Sequence, residues 1–94
     1  MSVFIIVAYD VPADRTEKYR KLLSRYLISV QYSVFGGDLT QIKYKQMHDG
    51  LKRIKIDADR LLIVSSENRR NIRVIQWDED GESENLDHLG SGIV

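Results

Sequence analysis

The sequence predicts an α+β fold, a ferredoxin-like plait of order β-α-β-β-α-β with one extra carboxyl-terminal strand. Three observations carry this. Two stretches place apolar residues at helical spacing, β-branched and aromatic runs stand before, between and after them, and the stretch between the helices is long enough for two short strands. A chain of 94 residues holds one hydrophobic core rather than two, so residues 1–77 form the single domain and residues 78–94 an acidic tail.

The first strand is Val3 to Tyr9, a nearly continuous apolar run of the kind expected in a strand covered on both faces or central in its sheet. Pro12 breaks it. Asp14 with Glu17 makes an Asp-x-x-Glu variant of the capping box, opening a helix that runs to about Tyr26. Tyr19, Leu22, Leu23, Tyr26 and Leu27 line the packing side of that helix, and Arg15, Lys18, Lys21 and Arg25 line the other. Ile28 to Leu39 reads as two short strands with a tight break near Tyr32. Thr40 caps a second helix, with Tyr44, Met47, Leu51 and Ile54 on one face and Gly50 weakening it slightly. Leu61 to Ser65 reads as a buried strand and Asn71 to Trp77 as a further one, whereas residues 78–94 show no packing pattern and are disordered alone or ordered by a partner. A plait leaves one sheet face bare and a final strand without a neighbour, so a homodimer is expected, with that strand added to the partner's sheet.

Composition excludes several chemistries. With no cysteine there is no disulfide, thiolate zinc site or cysteine nucleophile, and two widely separated histidines, His48 and His88, make no metal motif, so any metal is held by oxygen. The amino terminus has no basic leader and its apolar run is too short to cross a membrane, which points to a cytoplasmic protein with no membrane partner. The net charge of zero hides a polarity: all 14 lysines and arginines lie between Arg15 and Arg73, and 6 of the 14 acidic residues lie beyond position 77. A basic body with an acidic tail suits nucleic acid; it suits a merely solubilising tail as well.

Asp10, at the carboxyl end of the first strand, is the candidate metal ligand. Magnesium takes one or two carboxylates, keeps several waters and completes its shell with substrate phosphate, so a two-fold axis beside Asp10 would supply the second ligand. Such an ion would assist phosphodiester hydrolysis. The competing reading is that Asp10 only shapes the turn before Pro12. Arg15, Lys18, Lys21 and Arg25 suit a phosphate backbone, or an ordinary solvated helix face. Arg69, Arg70 and Arg73 add a second basic cluster or a charged edge that protects a strand. Tyr32 and Phe35 either stack on bases or pack in core and interface, and Ser33 between them is a possible phosphate donor.

In that order, Ile6-Val7-Ala8-Tyr9-Asp10, the basic amphipathic helix and Gln31-Tyr32-Ser33-Val34-Phe35-Gly36-Gly37-Asp38-Leu39 make the chain resemble the CRISPR-associated Cas2 family over residues 3 to about 77. The second block is far more specific than a lone aspartate. The resemblance implies a Mg2+-dependent endonuclease acting on RNA or DNA, and a homodimer that binds duplex DNA and bridges dimers of the CRISPR integrase during spacer acquisition. It matches Asp10 to the metal-binding aspartate, Tyr9 to its neighbour at the catalytic site, and Ser33 and Phe35 to the serine and phenylalanine of the second block; Arg15 and Lys18 match loosely. Leu27 stands where the family often has glycine and Gly36 where it often has glutamate. The carboxyl-terminal segment, with Trp77, Ile93 and Val94, resembles a docking strand for the integrase. The alternative is a purely noncatalytic DNA-binding scaffold of the integrase complex, and a virulence-associated ribonuclease toxin on the same plait fits less well.

Overall fold

The computed structural model describes residues 2–67, 71–78 and 81–84, without the side chains of residues 78, 83 and 84. Its elements run β1 (Ser2–Asp10), a 3-10 turn (Ala13–Arg15), α1 (Thr16–Leu23), β2 (Ile28–Gln31), β3 (Val34–Thr40), α2 (Gln41–Ile54), β4 (Arg60–Ser66), β5 (Ile75–Asp78) and β6 (Gly81–Glu84). The first four strands form an antiparallel sheet of order β2-β3-β1-β4, the plait expected.

β1 is apolar from Val3 to Tyr9, as suits a central strand, paired with β3 on one side and β4 on the other. Alternation sends Val3, Ile5, Val7 and Tyr9 towards the helices, where they meet Tyr19 and Leu23 of α1, Met47 and Leu51 of α2, and Leu27, Phe35 and Leu39. Ile5, Val7, Tyr19, Leu23 and Met47 are fully buried. Burial of aliphatic side chains of this size stabilises the fold by about 1.5–3 kcal/mol each, so the two helices are held chiefly by this layer. Phe4, Ile6 and Ala8 alternate onto the helix-free face. No helix among the described residues is long and apolar enough to cross a membrane.

The first helix starts differently from the capping-box expectation. Pro12, with φ −53°, puts its carbonyl in reach of the Arg15 amide at 2.8 Å, so the chain enters through a 3-10 turn that contains Asp14 instead of being capped by it. No side chain caps either this turn or α1, and Glu17 pairs with Arg20 on the exposed surface. The helix also ends early, at Leu23, yet Tyr26 and Leu27 still pack on the core from the following turn. Thr40 caps α2 as expected, its hydroxyl accepting from the Lys43 amide at 3.2 Å.

β4 is not covered on both faces. Among the described residues it pairs with β1 alone, and Leu62 and Val64 on the side away from the helices are 63% and 44% exposed. The strand expected over Asn71 to Trp77 is shorter: only Ile75–Asp78 is extended into a ladder, and its partner is Gly81–Glu84 of the same chain. Residues 81–84 therefore form a strand in a stretch expected to lack one. Gly81, which opens that strand opposite Asp78, adopts φ 107°, which glycine tolerates without a Cβ penalty. Residues 72–76 line, with Ile6, Val30, Gln31, Val34 and Val64, a cleft of about 370 Å³ over the helix-free face.

Candidate functional site

Asp10 is the last residue of β1, and its side chain is exposed on the helix-free face because Tyr9 before it points to the core. Directly across the ladder stands Arg60, the first residue of β4. Residues opposite each other in an antiparallel pair have Cβ atoms about 4.5–5.5 Å apart on the same face. Asp10 and Arg60 line a shallow cavity of about 190 Å³ with Ala8, Tyr9, Leu61 and Leu62. Neither side chain forms a hydrogen bond or ion pair among the described residues. The site thus presents a carboxylate and a guanidinium side by side, neither of them bonded to another described residue.

Tyr9 lies on the other side of the sheet, 7% exposed, its ring stacked on Tyr19 at 5.4 Å and on Phe35 at 6.3 Å between centroids. Burial pushes the Tyr9 hydroxyl above its usual range, with a hydrogen bond from Ser33 pulling the other way. A protonated phenol in the core orients the strand end; it is not a base at neutral pH. Ser33 occupies the turn between β2 and β3 with φ 68°, and its carbonyl accepts from the Tyr9 amide at 3.0 Å, which ties that turn to the end of β1. The two rings of the second sequence block separate. Phe35, expected as a nucleic-acid contact, is 3% exposed in the core with Tyr9 on its face, so it offers no ring to a base; Tyr32 is 85% exposed and does.

Arg15 is also removed from the basic row. Its guanidinium Nε donates to both oxygens of Asp59 at 3.0 Å and its NH2 group to the carbonyl of Ile54, so it clamps the entry of α1 to the end of α2. Asp59, buried at 2% exposure, also accepts from the Tyr19 hydroxyl at 2.6 Å and from the Ile56 amide at 3.2 Å. The Arg15 guanidinium, with these further donors against the cost of burial, holds the Asp59 carboxyl down at about 2. Burial and the neighbouring carboxylate push Tyr19 up to about 12. Nothing in the Asp57-Ala58-Asp59 turn distinguishes this carboxylate from a solvated one; its partner lies 44 residues away. Lys18 and Lys21 on α1 and Arg25 just beyond it remain exposed and, among the described residues, make no hydrogen bond or close ion pair, although Lys21 adds to Arg20 in holding the Glu17 carboxyl below its usual range.

Trp77 on β5 is 70% exposed and Ile75 two residues before it 42%, so the hairpin presents an apolar edge. Ile93, Val94, Arg69 and Arg70 lie outside the described residues. Among the described residues no three acidic or histidine side chains gather as a metal site. Asp10 alone would give a magnesium ion one carboxylate, leaving the rest of its shell to water, substrate phosphate or a further carboxylate.

The model of the family described as CRISPR associated protein Cas2 matches residues 1–73. The chain is 42% identical over 64 residues to a protein of Haloferax volcanii named CRISPR-associated endoribonuclease Cas2, covering 68% of this chain and 74% of that one. It is 38% identical over 71 residues to a protein of Thermodesulfovibrio yellowstonii named CRISPR-associated endoribonuclease Cas2 3, covering 74% of this chain and 81% of that one. A solved structure titled "Crystal structure of cas2" superposes with a TM-score of 0.73 at 32% identity, over 84% of this chain and 92% of the other.

Proposed function

The chain belongs to the CRISPR-associated protein Cas2 family, and we propose from that premise that it is a magnesium-dependent endonuclease acting on RNA or DNA in CRISPR adaptation. It works as a two-fold homodimer in which two Asp10 carboxylates share one site. The observation that carries this reading is Asp10, exposed at the end of the central strand on the face opposite α1 and α2 and without a hydrogen bond or ion pair among the described residues. The relatives' name, endoribonuclease, supports the reaction class.

When bound, magnesium neutralises charge at the phosphodiester and lowers the pKa of a coordinated water. The chain's own residues do the rest. Asp10 and its two-fold mate hold the ion, and their mutual repulsion in its absence favours metal uptake. Tyr9 and Ser33 fix the strand end that carries Asp10. Lys18, Lys21 and Arg25 engage phosphates by charge alone and read no sequence.

A second reading has the same dimer bridge integrase dimers on duplex DNA without cutting. The exposed basic row and the apolar edge of Ile75 and Trp77 favour it. Asp10→Asn separates the two, because it removes the metal-holding charge and leaves a side chain of nearly the same shape. Magnesium-dependent cleavage of RNA and DNA oligonucleotides by the purified protein is expected, with loss on substitution while dimerisation and duplex binding stay unchanged. Cleavage by Asp10→Asn at the wild-type rate would contradict the nuclease reading.

A further inference from the structure

We propose that Arg60 is a phosphate-binding residue of the Asp10 site, presenting a guanidinium to the same nucleic-acid phosphate that a metal on Asp10 would meet. The proposal rests on the nuclease reading for its catalytic consequence but not for its binding consequence. Three observations carry it. Arg60 is the direct cross-strand neighbour of Asp10, on the same face and lining the same cavity. It is exposed and, like Asp10, without a hydrogen bond or ion pair among the described residues, although the register puts the two within easy reach of each other. A planar guanidinium offers a fork that matches two phosphate oxygens, so a phosphate beside a cation on Asp10 is the ligand whose charge suits both groups.

The third observation is rigidity. Each member of the pair follows a residue anchored by Tyr19: Tyr9 stacks on the Tyr19 ring at 5.4 Å, and Asp59 accepts the Tyr19 hydroxyl at 2.6 Å. Asp59 is also gripped by Arg15 and by the Ile56 amide. Tyr19 thus touches the residue before each member of the pair, and Phe35, Ser33, Arg15 and the Ile56 amide add to that anchoring from the core side, while both side chains face outward. Such a support holds a charged pair at a set spacing before ligand arrives.

The test uses the full chain with Arg60→Gln and Arg60→Lys, a defined duplex and a defined single-stranded RNA. Binding is measured in EDTA across a salt series, and cleavage is measured in magnesium. For Arg60→Gln we expect an unchanged melting temperature, and a slope of log K against log salt shallower by about 0.9 for each lost duplex phosphate contact. Where the wild type cleaves, cleavage is expected to fall by about tenfold or more, the scale of one charge-assisted hydrogen-bonded contact. Arg60→Lys should keep the salt slope and recover cleavage only in part, since an ammonium is a point charge without the fork. An Arg60→Gln salt slope and affinity equal to wild type would overturn the proposal, even if magnesium then bound Asp10 more tightly through loss of a repelling neighbour. Failure of the wild type to cleave anything would sink the nuclease reading and leave the salt slope to decide on Arg60.

Discussion

Asp59 accepts from Arg15, Tyr19 and the Ile56 amide, and it stands one residue before Arg60, so the geometry beside Asp10 depends on a carboxylate that has no motif around it. Its folded-state pKa, about 2, lies below its ordinary value of 3.8. Folding thus favours the ionised form, and the stabilisation is complete above about pH 4 and lost as pH falls through about 2. Asp59→Asn is expected to lower stability at pH 7 and to flatten its decline between pH 4 and 2, as read by urea unfolding at each pH. A parallel decline in both proteins over that range would contradict the assignment. Asp10 and the Gln31-to-Leu39 block were legible because a carboxylate ending an apolar strand and a dense motif are local features. Arg15 was legible only as one charge among four at helical spacing, and its burial against Asp59 depends on a contact across 44 residues that no local pattern encodes.

At the scale of elements, a continuous apolar run carried β1, apolar residues at helical spacing carried both helices, and a stretch of strand formers with a break near Tyr32 carried the β2–β3 pair. The start of α1 departed because Pro12 supplies a backbone turn where a side-chain cap was expected. The second hairpin departed in its second strand, because residues 81–84 are polar and acidic and carry no apolar alternation from which a strand could be read. Gly50 acquires a different meaning in three dimensions. Beyond weakening α2, it lets α1 approach: a Cβ at this position would stand 3.0 Å from Leu22 Cδ1 and 3.3 Å from Cδ2. Gly50→Val is expected to destabilise by about 1–3 kcal/mol through overpacking at the helix crossing. The measurement is the denaturation midpoint, and a midpoint equal to or above that of wild type would mean that the two helices are free to separate.

For the molecule as a whole, the plait leaves Ile6, Val30, Val34 and Val64 around a cleft on the helix-free face, with Asp10 at the end of the same surface. One chain offers one carboxylate there, and a shared site requires a second copy. The direct test is cleavage by mixed dimers, formed by co-refolding wild type with Asp10→Asn in varied ratio at constant total protein. A site built from two Asp10 carboxylates works only in dimers that hold both, so cleavage should fall as the square of the wild-type fraction. Cleavage proportional to the wild-type fraction itself would mean that each subunit carries a complete site, and the shared-site account would be wrong.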